Sequence, residues 1–175
     1  MNHTRSLFLG TAFALFSLGV MAAELDAFVA ASDGATACWS RQYDAAHLAA
    51  HPDQQVAAMS MAVTYWDETA NGPAQYVFRM EADLRDGTHG TAVGPCRQEG
   101  GDVWCGVECD GGGVLLKSRS GGDVLIDLEH TGYIAMTTGC GEDTLDEGFP
   151  LESGRDDKQF LLHALPVRQC VPATY

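Results

Sequence analysis

His47 and His51 are the residues whose type and spacing point most directly to chemistry. On a helix, the His-x-x-x-His spacing places both imidazoles on one face, as a zinc or copper site requires. Two features limit this interpretation. Pro52 disfavours a helical backbone at His51, and Leu48 stands where a metalloprotease would place its glutamate base. The pair therefore predicts either a divalent-metal site or two surface histidines, but not a metalloprotease.

Two carboxylates, Glu108 and Asp110, form a second candidate site, because they flank Cys109 just before three glycines. Paired carboxylates in different environments can divide the general acid and base roles of a hydrolase. On a strand, both would point to the face opposite Cys109. The alternative is a tight turn in which Asp110 bonds backbone amides and the glycines supply positive φ. The sequence favours the turn.

The cysteines predict disulfides rather than a metal site. There are six: Cys38, Cys96, Cys105, Cys109, Cys140 and Cys170. An even count after a secretory leader is typical of a disulfide framework. A thiolate metal site usually has Cys-x-x-Cys pairs, whereas Cys105 and Cys109 are separated by three residues and have no second pair.

One disulfide can be derived from hairpin geometry. A predicted four-residue loop, Glu99 to Asp102, sets Cys96 directly opposite Cys105, close enough for a bridge after local adjustment.

The other four cysteines leave the connectivity open, since the sequence does not choose among their pairings. One arrangement ties the two ends of the domain together through Cys38 and Cys170, which leaves Cys109 with Cys140.

The first residues have the layout of a secretory signal. Arg5 supplies a positive charge, an uncharged apolar run extends from Leu7 to Val20, and small residues follow at a cleavage pattern ending near Ala23. The run is shorter than the roughly 20 residues of a membrane span, although an uncleaved anchor is the alternative. We expect residues 1–23 to be a signal peptide and 24–175 a single β-rich domain, periplasmic or secreted, without membrane attachment after cleavage.

The charge balance restricts the partners. The chain has 24 acidic residues against 10 lysines and arginines, and its formal net charge is −14. Such a chain is repelled by nucleic acid and by anionic membrane surfaces, and it attracts cations and basic proteins. The acidic segment 139–157 does not match the helix-flanked calcium loop, so we interpret it as a solvated loop.

Hydrophobic periodicity predicts the fold class. Short helices are expected at 24–31 and 45–50, the second with Asp44 as its N-cap. Alternating or apolar runs separated by glycine-rich turns then predict eight strands: near 56–66, 75–84, 90–98, 102–109, 113–119, 123–130, 132–138 and 158–165. Short connections favour an antiparallel meander, closed into a barrel or folded as a two-sheet sandwich.

Three stretches resemble exported bacterial proteins of unknown function. They are Cys38-x-x-Arg41-x-Tyr43-Asp44-Ala45-Ala46-His47-Leu48-x-x-His51-Pro52-x-Gln54-x-Val56, Glu108-Cys109-Asp110-Gly111-Gly112-Gly113 and Asp156-Asp157-x-x-Phe160-x-Leu162. The resemblance extends over most of the chain after the leader. It implies export and a single β-rich domain, and it implies no activity.

No nucleophile motif or phosphate-binding glycine loop occurs in the sequence. We therefore expect a non-catalytic binding or interaction module without a cofactor, whose partner is a basic envelope protein or a small ligand within or at the mouth of a barrel. The alternatives are a divalent-metal protein using His47 and His51 and an envelope hydrolase using Glu108 or Asp110.

Overall fold

The computed structural model describes residues 25–69, 72–137, 148–155 and 157–174. The predicted signal peptide lies outside these residues, as do Cys140 and about half of the acidic segment. The elements, in chain order, are α1 (Leu25–Phe28), β1 (Thr36–Gln42), α2 (Ala45–Ala50), β2 (Val56–Thr69), β3 (Gly72–Leu84), β4 (His89–Glu99), β5 (Asp102–Gly106), β6 (Gly113–Ser118), β7 (Val124–Asp127), β8 (Tyr133–Met136), β9 (Phe149–Glu152) and β10 (Gln159–Ala164). None of the helices among the described residues is long and apolar enough to cross a membrane.

Eight of these strands close into an antiparallel barrel. Around the barrel their order is β1, β10, β7, β6, β5, β4, β3 and β2. Strands β2 to β7 follow one another as a meander because their connections are short, and β10 and β1 complete the circle. The predicted mainly β, antiparallel fold is confirmed, and of the two predicted architectures the barrel is the one formed.

Two strands, β1 and β9, were not predicted, and a third, β8, pairs outside the barrel. Thr36–Gln42, which had no predicted strand, supplies β1 and closes the barrel against β2 and β10. The predicted strand at 132–138 is Tyr133–Met136, and it pairs outside the barrel with Phe149–Glu152, inside the segment interpreted as a loop. That strand contains Pro150, which is tolerated in an edge strand.

The second helix begins and ends where the sequence predicted. The side chain of Asp44 accepts a hydrogen bond from the backbone N–H of His47 at 2.7 Å, which caps the first turn. The helix ends at His51, directly before Pro52. The first helix is shorter than predicted, Leu25–Phe28 instead of 24–31.

The β4–β5 hairpin has the predicted register but a shorter loop. Glu99 pairs with Asp102, so only Gly100 and Gly101 form the turn, and Gly100 has the positive φ of 61° that favours glycine. Cys96 lies opposite Cys105, and the two form the predicted disulfide.

A second disulfide joins Cys38 to Cys170, with 5.5 Å between their Cα atoms, as in the arrangement that ties the two ends together. Cys109 is also disulfide-bonded. Its predicted partner, Cys140, lies outside the described residues.

Large apolar side chains fill the barrel interior. The largest of those with less than 2% exposure are Phe78, Phe160, Met61, Met80, Leu116 and Ile126. An eight-stranded barrel is only just wide enough for its own side chains, so a filled interior is the expected result.

The C-terminal tail lies across the outside of the barrel. Ala173 is fully buried against Val77 and Val93, and the indole N–H of Trp66 donates to the Ala173 carbonyl at 2.8 Å. The Ala173 N–H donates in turn to the Thr64 hydroxyl at 2.8 Å. Together with the Cys38–Cys170 disulfide, these contacts attach the tail to β1, β2 and β3.

Candidate functional site

The pairing between β1 and β10 is short. Strand β1 pairs with β2 over seven residues but with β10 at only two, Trp39 with Ala164 and Ser40 with His163. Beyond Ser40 the two strands part and leave a pocket of about 250 Å³. We call it the seam pocket; the described residues that line it are Arg41, Tyr43, His47, His51, Gln54, Gln159 and Leu161.

A row of stacked side chains forms one wall of the seam pocket. Tyr43, His47 and His51 are spaced four residues apart, so α2 and its N-terminal approach bring them onto one face. The ring centroids of Tyr43 and His47 are 4.6 Å apart, and those of His47 and His51 are 4.4 Å apart, each pair stacked. The Arg41 guanidinium extends the row, 5.2 Å from the centre of the Tyr43 ring.

Arg41 is held in place through a histidine. Its Nη1 lies 2.5 Å from Nε2 of His163, whose Nδ1 lies 2.8 Å from a carboxylate oxygen of Asp123. Because a guanidinium has only donors, Nε2 must accept, and Nδ1–H therefore donates to Asp123. Ala164 N–H also donates to Asp123, at 3.0 Å. Arg41 is thus positioned by a neutral ring, and no carboxylate contact neutralises it among the ion pairs of the described residues.

Buried polar groups fix the base of the seam pocket. Gln54 is only 3% exposed; its amide N–H donates to the Val56 carbonyl at 2.7 Å, and its Oε1 lies 3.1 Å from Nε2 of His47. Asp157 is buried beside it, and its carboxylate accepts the backbone N–H groups of Gln55 at 2.7 Å and Val56 at 3.3 Å. These bonds attach the end of the α2–β2 connection to the segment that leads into β10.

Two pKa shifts follow from this arrangement. Burial raises the pKa of Tyr43, the Arg41 charge opposes the rise, and Asp157 adds to it, so the phenol stays protonated at neutral pH. The pKa of Asp123 is lowered, first by the Ala164 N–H and then by the hydrogen bond from His163. The pocket therefore combines a neutral phenol with a permanent cation.

The structure brings His47 and His51 together, but as a stacked pair. Their planes are inclined by only 26°, and no third ligand joins them, since no group of three or more His, Cys, Asp or Glu side chains suited to a metal occurs among the described residues. His51 also has another interaction. Binding of a divalent metal to this pair stays a prediction.

Glu108 and Asp110 lie far from this arrangement, on a turn. Strand β5 ends at Gly106, and Cys109 and Asp110 have φ of 57° and 60°, so the carboxylates do not share one strand face. The Asp110 carbonyl accepts a hydrogen bond from the hydroxyl of Tyr133. Both carboxylate residues are exposed, and neither is among the residues that line the seam pocket.

A second depression, which we call the outer groove, lies on the outside of β1, β2 and β3. It has a volume of about 210 Å³ and includes Arg41 at its border with the seam pocket. Its acidic residues are already paired: Glu81 with Arg79 at 3.0 Å and Asp83 with His89 at 2.7 Å.

Sequence reasoning missed most of the seam pocket. It proposed His47 and His51 but not Arg41, Tyr43 or Gln54, although all five lie within the first stretch quoted for the resemblance. The grouping of these five residues in one short stretch was the signal that the sequence offered. The remaining residues, Gln159 and Leu161, carried no signal, because their position depends on β10 lying beside β1.

No protein-family model matches the chain, no curated protein matches its sequence significantly, and no solved structure matches its fold significantly. The resemblance to exported bacterial proteins therefore stays a prediction, and the argument for function depends on the geometry.

Proposed function

We propose that this protein is an exported, non-catalytic binding module and that the seam pocket holds a small-molecule ligand. One observation carries the proposal: β1 and β10 pair at only two positions, and side chains from β1, from α2 with its flanking connections and from β10 converge on the pocket beyond that pairing. The lining combines aromatic rings and the half-exposed Leu161 with a few directed polar groups, which is the usual composition of a ligand site.

Two further features support binding over catalysis. The candidate carboxylates Glu108 and Asp110 lie on an exposed turn, away from the seam pocket. Beside the pocket, His163 positions Arg41, and within it His47 bonds Gln54, so these imidazoles have structural partners. Because large apolar side chains fill the interior, the ligand we propose lies at the seam and not inside the barrel.

Disulfides support the exported part of the proposal. Cys38–Cys170 and Cys96–Cys105 are characteristic of oxidising compartments. With the leader expected at residues 1–23, we place the protein in the periplasm or the medium.

Native mass spectrometry of the protein isolated from its own host compartment, before any chelator is added, tests the proposal. We expect a non-covalent adduct above the mass of the processed chain, and we expect it to be absent from a Leu161→Asp variant isolated in the same way. Leu161 is 39% exposed, so the substitution should alter the pocket without unfolding the barrel.

The matched control is Val167→Asp, which changes an equally apolar side chain that is 70% exposed and lies away from the seam. It should keep the adduct. A bare mass in every sample, or an adduct that survives in Leu161→Asp, would contradict the proposed site. An adduct removed by EDTA would support the metal alternative, and turnover of envelope substrates by the purified protein would refute the non-catalytic part.

A further inference from the structure

The seam pocket differs in charge from the rest of the chain. With 24 acidic residues against 10 lysines and arginines, an average surface of this protein is negative. Yet the described residues that line the pocket include one permanent cation and two imidazoles, and the Asp157 carboxylate at its base is buried and accepts two backbone N–H groups. A permanent cation at an opening of this kind attracts ligands of negative charge.

Arg41 is the group best placed to bind such a ligand. Its Nη1 donates to a neutral acceptor, Nε2 of His163, so its positive charge is held in position without being cancelled by a direct carboxylate contact there. A guanidinium has five N–H donors in a planar fork that matches a carboxylate or phosphate. The bond to His163 uses one of the five and fixes the direction of the others.

Neighbouring groups complete the recognition. The protonated phenol of Tyr43 is a hydrogen-bond donor, since its pKa is raised, and it lies beside the guanidinium. Leu161, on the β10 side, provides apolar contact for the rest of a small molecule.

From this arrangement we propose that the seam pocket binds the oxyanion group of a small molecule, a carboxylate or a phosphate, with Arg41 as the anion-binding residue. This inference rests on the proposed function and specifies the ligand's chemistry. An arginine recognises a carboxylate and a phosphate in the same way, so a separate probe is needed for each.

The test is thermal unfolding and calorimetric titration of the full protein with inorganic phosphate and, separately, with citrate, against chloride at equal ionic strength. A ligand that binds only the folded state raises the unfolding temperature. We expect at least one of the two probes to do so where chloride does not, and the more effective probe identifies the phosphate or carboxylate source.

Two variants locate the effect. Arg41→Gln should lower the affinity for the more effective probe by at least tenfold. Leu161→Asp should do the same by repulsion without changing Arg41, so the inference stays testable if Arg41→Gln folds poorly. The matched controls Arg168→Gln and Val167→Asp, both at exposed positions, should leave the affinity within about twofold of wild type.

No oxyanion effect beyond chloride would overturn the inference, and so would equal losses in the variants and their controls. The two proposals fail separately. A neutral adduct in native mass spectrometry that Leu161→Asp removes would refute the oxyanion while supporting the binding module. Absence of both an adduct and an oxyanion effect would refute both.

Discussion

The seam pocket and the outer groove lie on either side of Arg41, have similar volumes and differ in charge. The seam pocket is about 250 Å³ and the outer groove about 210 Å³. In the groove, the carboxylate of Glu81 pairs with Arg79, and that of Asp83 accepts a hydrogen bond from His89. In the seam pocket, a cation is supported by a neutral histidine. The net charge of a chain therefore does not determine the charge of a particular opening; the local pairing does.

The origin of the difference is the backbone. Next to the groove, β1, β2 and β3 are paired along their lengths, so their outward side chains form an ordinary sheet surface. At the seam, β1 loses its β10 neighbour after Ser40, and side chains from α2 and β10 fill the space that a strand pairing would have occupied. The candidate site lies where the pairing of β1 with β10 ends.

The largest expected effect tests whether the surface covered by the C-terminal tail and the seam pocket are independent. A Cys38→Ser, Cys170→Ser double variant loses a bridge that closes a loop of 132 residues in sequence separation. We expect the free energy of unfolding in urea to fall by about 4 kcal/mol. Oxyanion affinity should stay within about twofold of wild type, because the tail does not reach the seam pocket. Loss of affinity would show that the two surfaces depend on each other.

The next effect concerns the base of the seam pocket. Asp157→Asn keeps the shape of the side chain but replaces a charged acceptor of two backbone N–H groups. We expect a loss of about 2 kcal/mol in chemical unfolding. Asp53→Asn is the control, since Asp53 pairs on the surface with Arg155, which is 85% exposed, and should change stability by less than about 0.5 kcal/mol. Equal losses would argue against a structural role for Asp157.

A smaller effect depends on pH. The pKa of Asp123 is lower in the folded protein than in the unfolded chain, so its interactions stabilise the fold above about pH 4 and are lost as the pH falls through the lowered pKa. The difference in unfolding free energy between wild type and Asp123→Asn should therefore be constant above pH 5 and shrink at lower pH. Parallel curves down to pH 2 would contradict this assignment.

The smallest effect tests whether the two pockets share one electric field. A Glu81→Gln, Asp83→Asn double variant removes both carboxylates of the outer groove. Exposed ion pairs contribute little, so we expect stability to change by less than about 0.5 kcal/mol. Removing negative charge near Arg41 should raise the oxyanion affinity by less than about twofold at physiological salt, where screening is strong. A tenfold rise in calorimetric titration would mean that the pockets are not electrostatically separate.

Local patterns predicted the elements of the fold well. Asp44 before an alanine-rich segment predicted the capped helix, and the spacing around Gly100 and Gly101 predicted the Cys96–Cys105 register. Strand β1 was not predicted because both of its faces are covered. Cys38 is buried under the tail and Trp39 in the core, so the strand has no clear alternation of buried and exposed residues.

The candidate site could be predicted only in part. The spacing of His47 and His51 revealed one face of α2, but local periodicity does not show which strand lies opposite. The spacing fixes the two rings on one face and leaves their mutual orientation undefined, and the structure adds that they are stacked. The positioning of Arg41 by His163 joins residues that are 122 positions apart in sequence, and no local pattern carries that information.

The pairing of β1 with β10, which closes the barrel, also determines when this protein can finish folding. A chain emerges from its N-terminus, so β1 appears first, whereas its neighbour β10 and its disulfide partner Cys170 are among the last segments to appear. Strands β2 to β7 can pair as they emerge, but the barrel remains an open sheet until β10 arrives. Non-local closure of this kind is slow. The apolar inner face of the sheet therefore stays exposed until nearly the whole chain has emerged. The seam is the last part of the barrel to form.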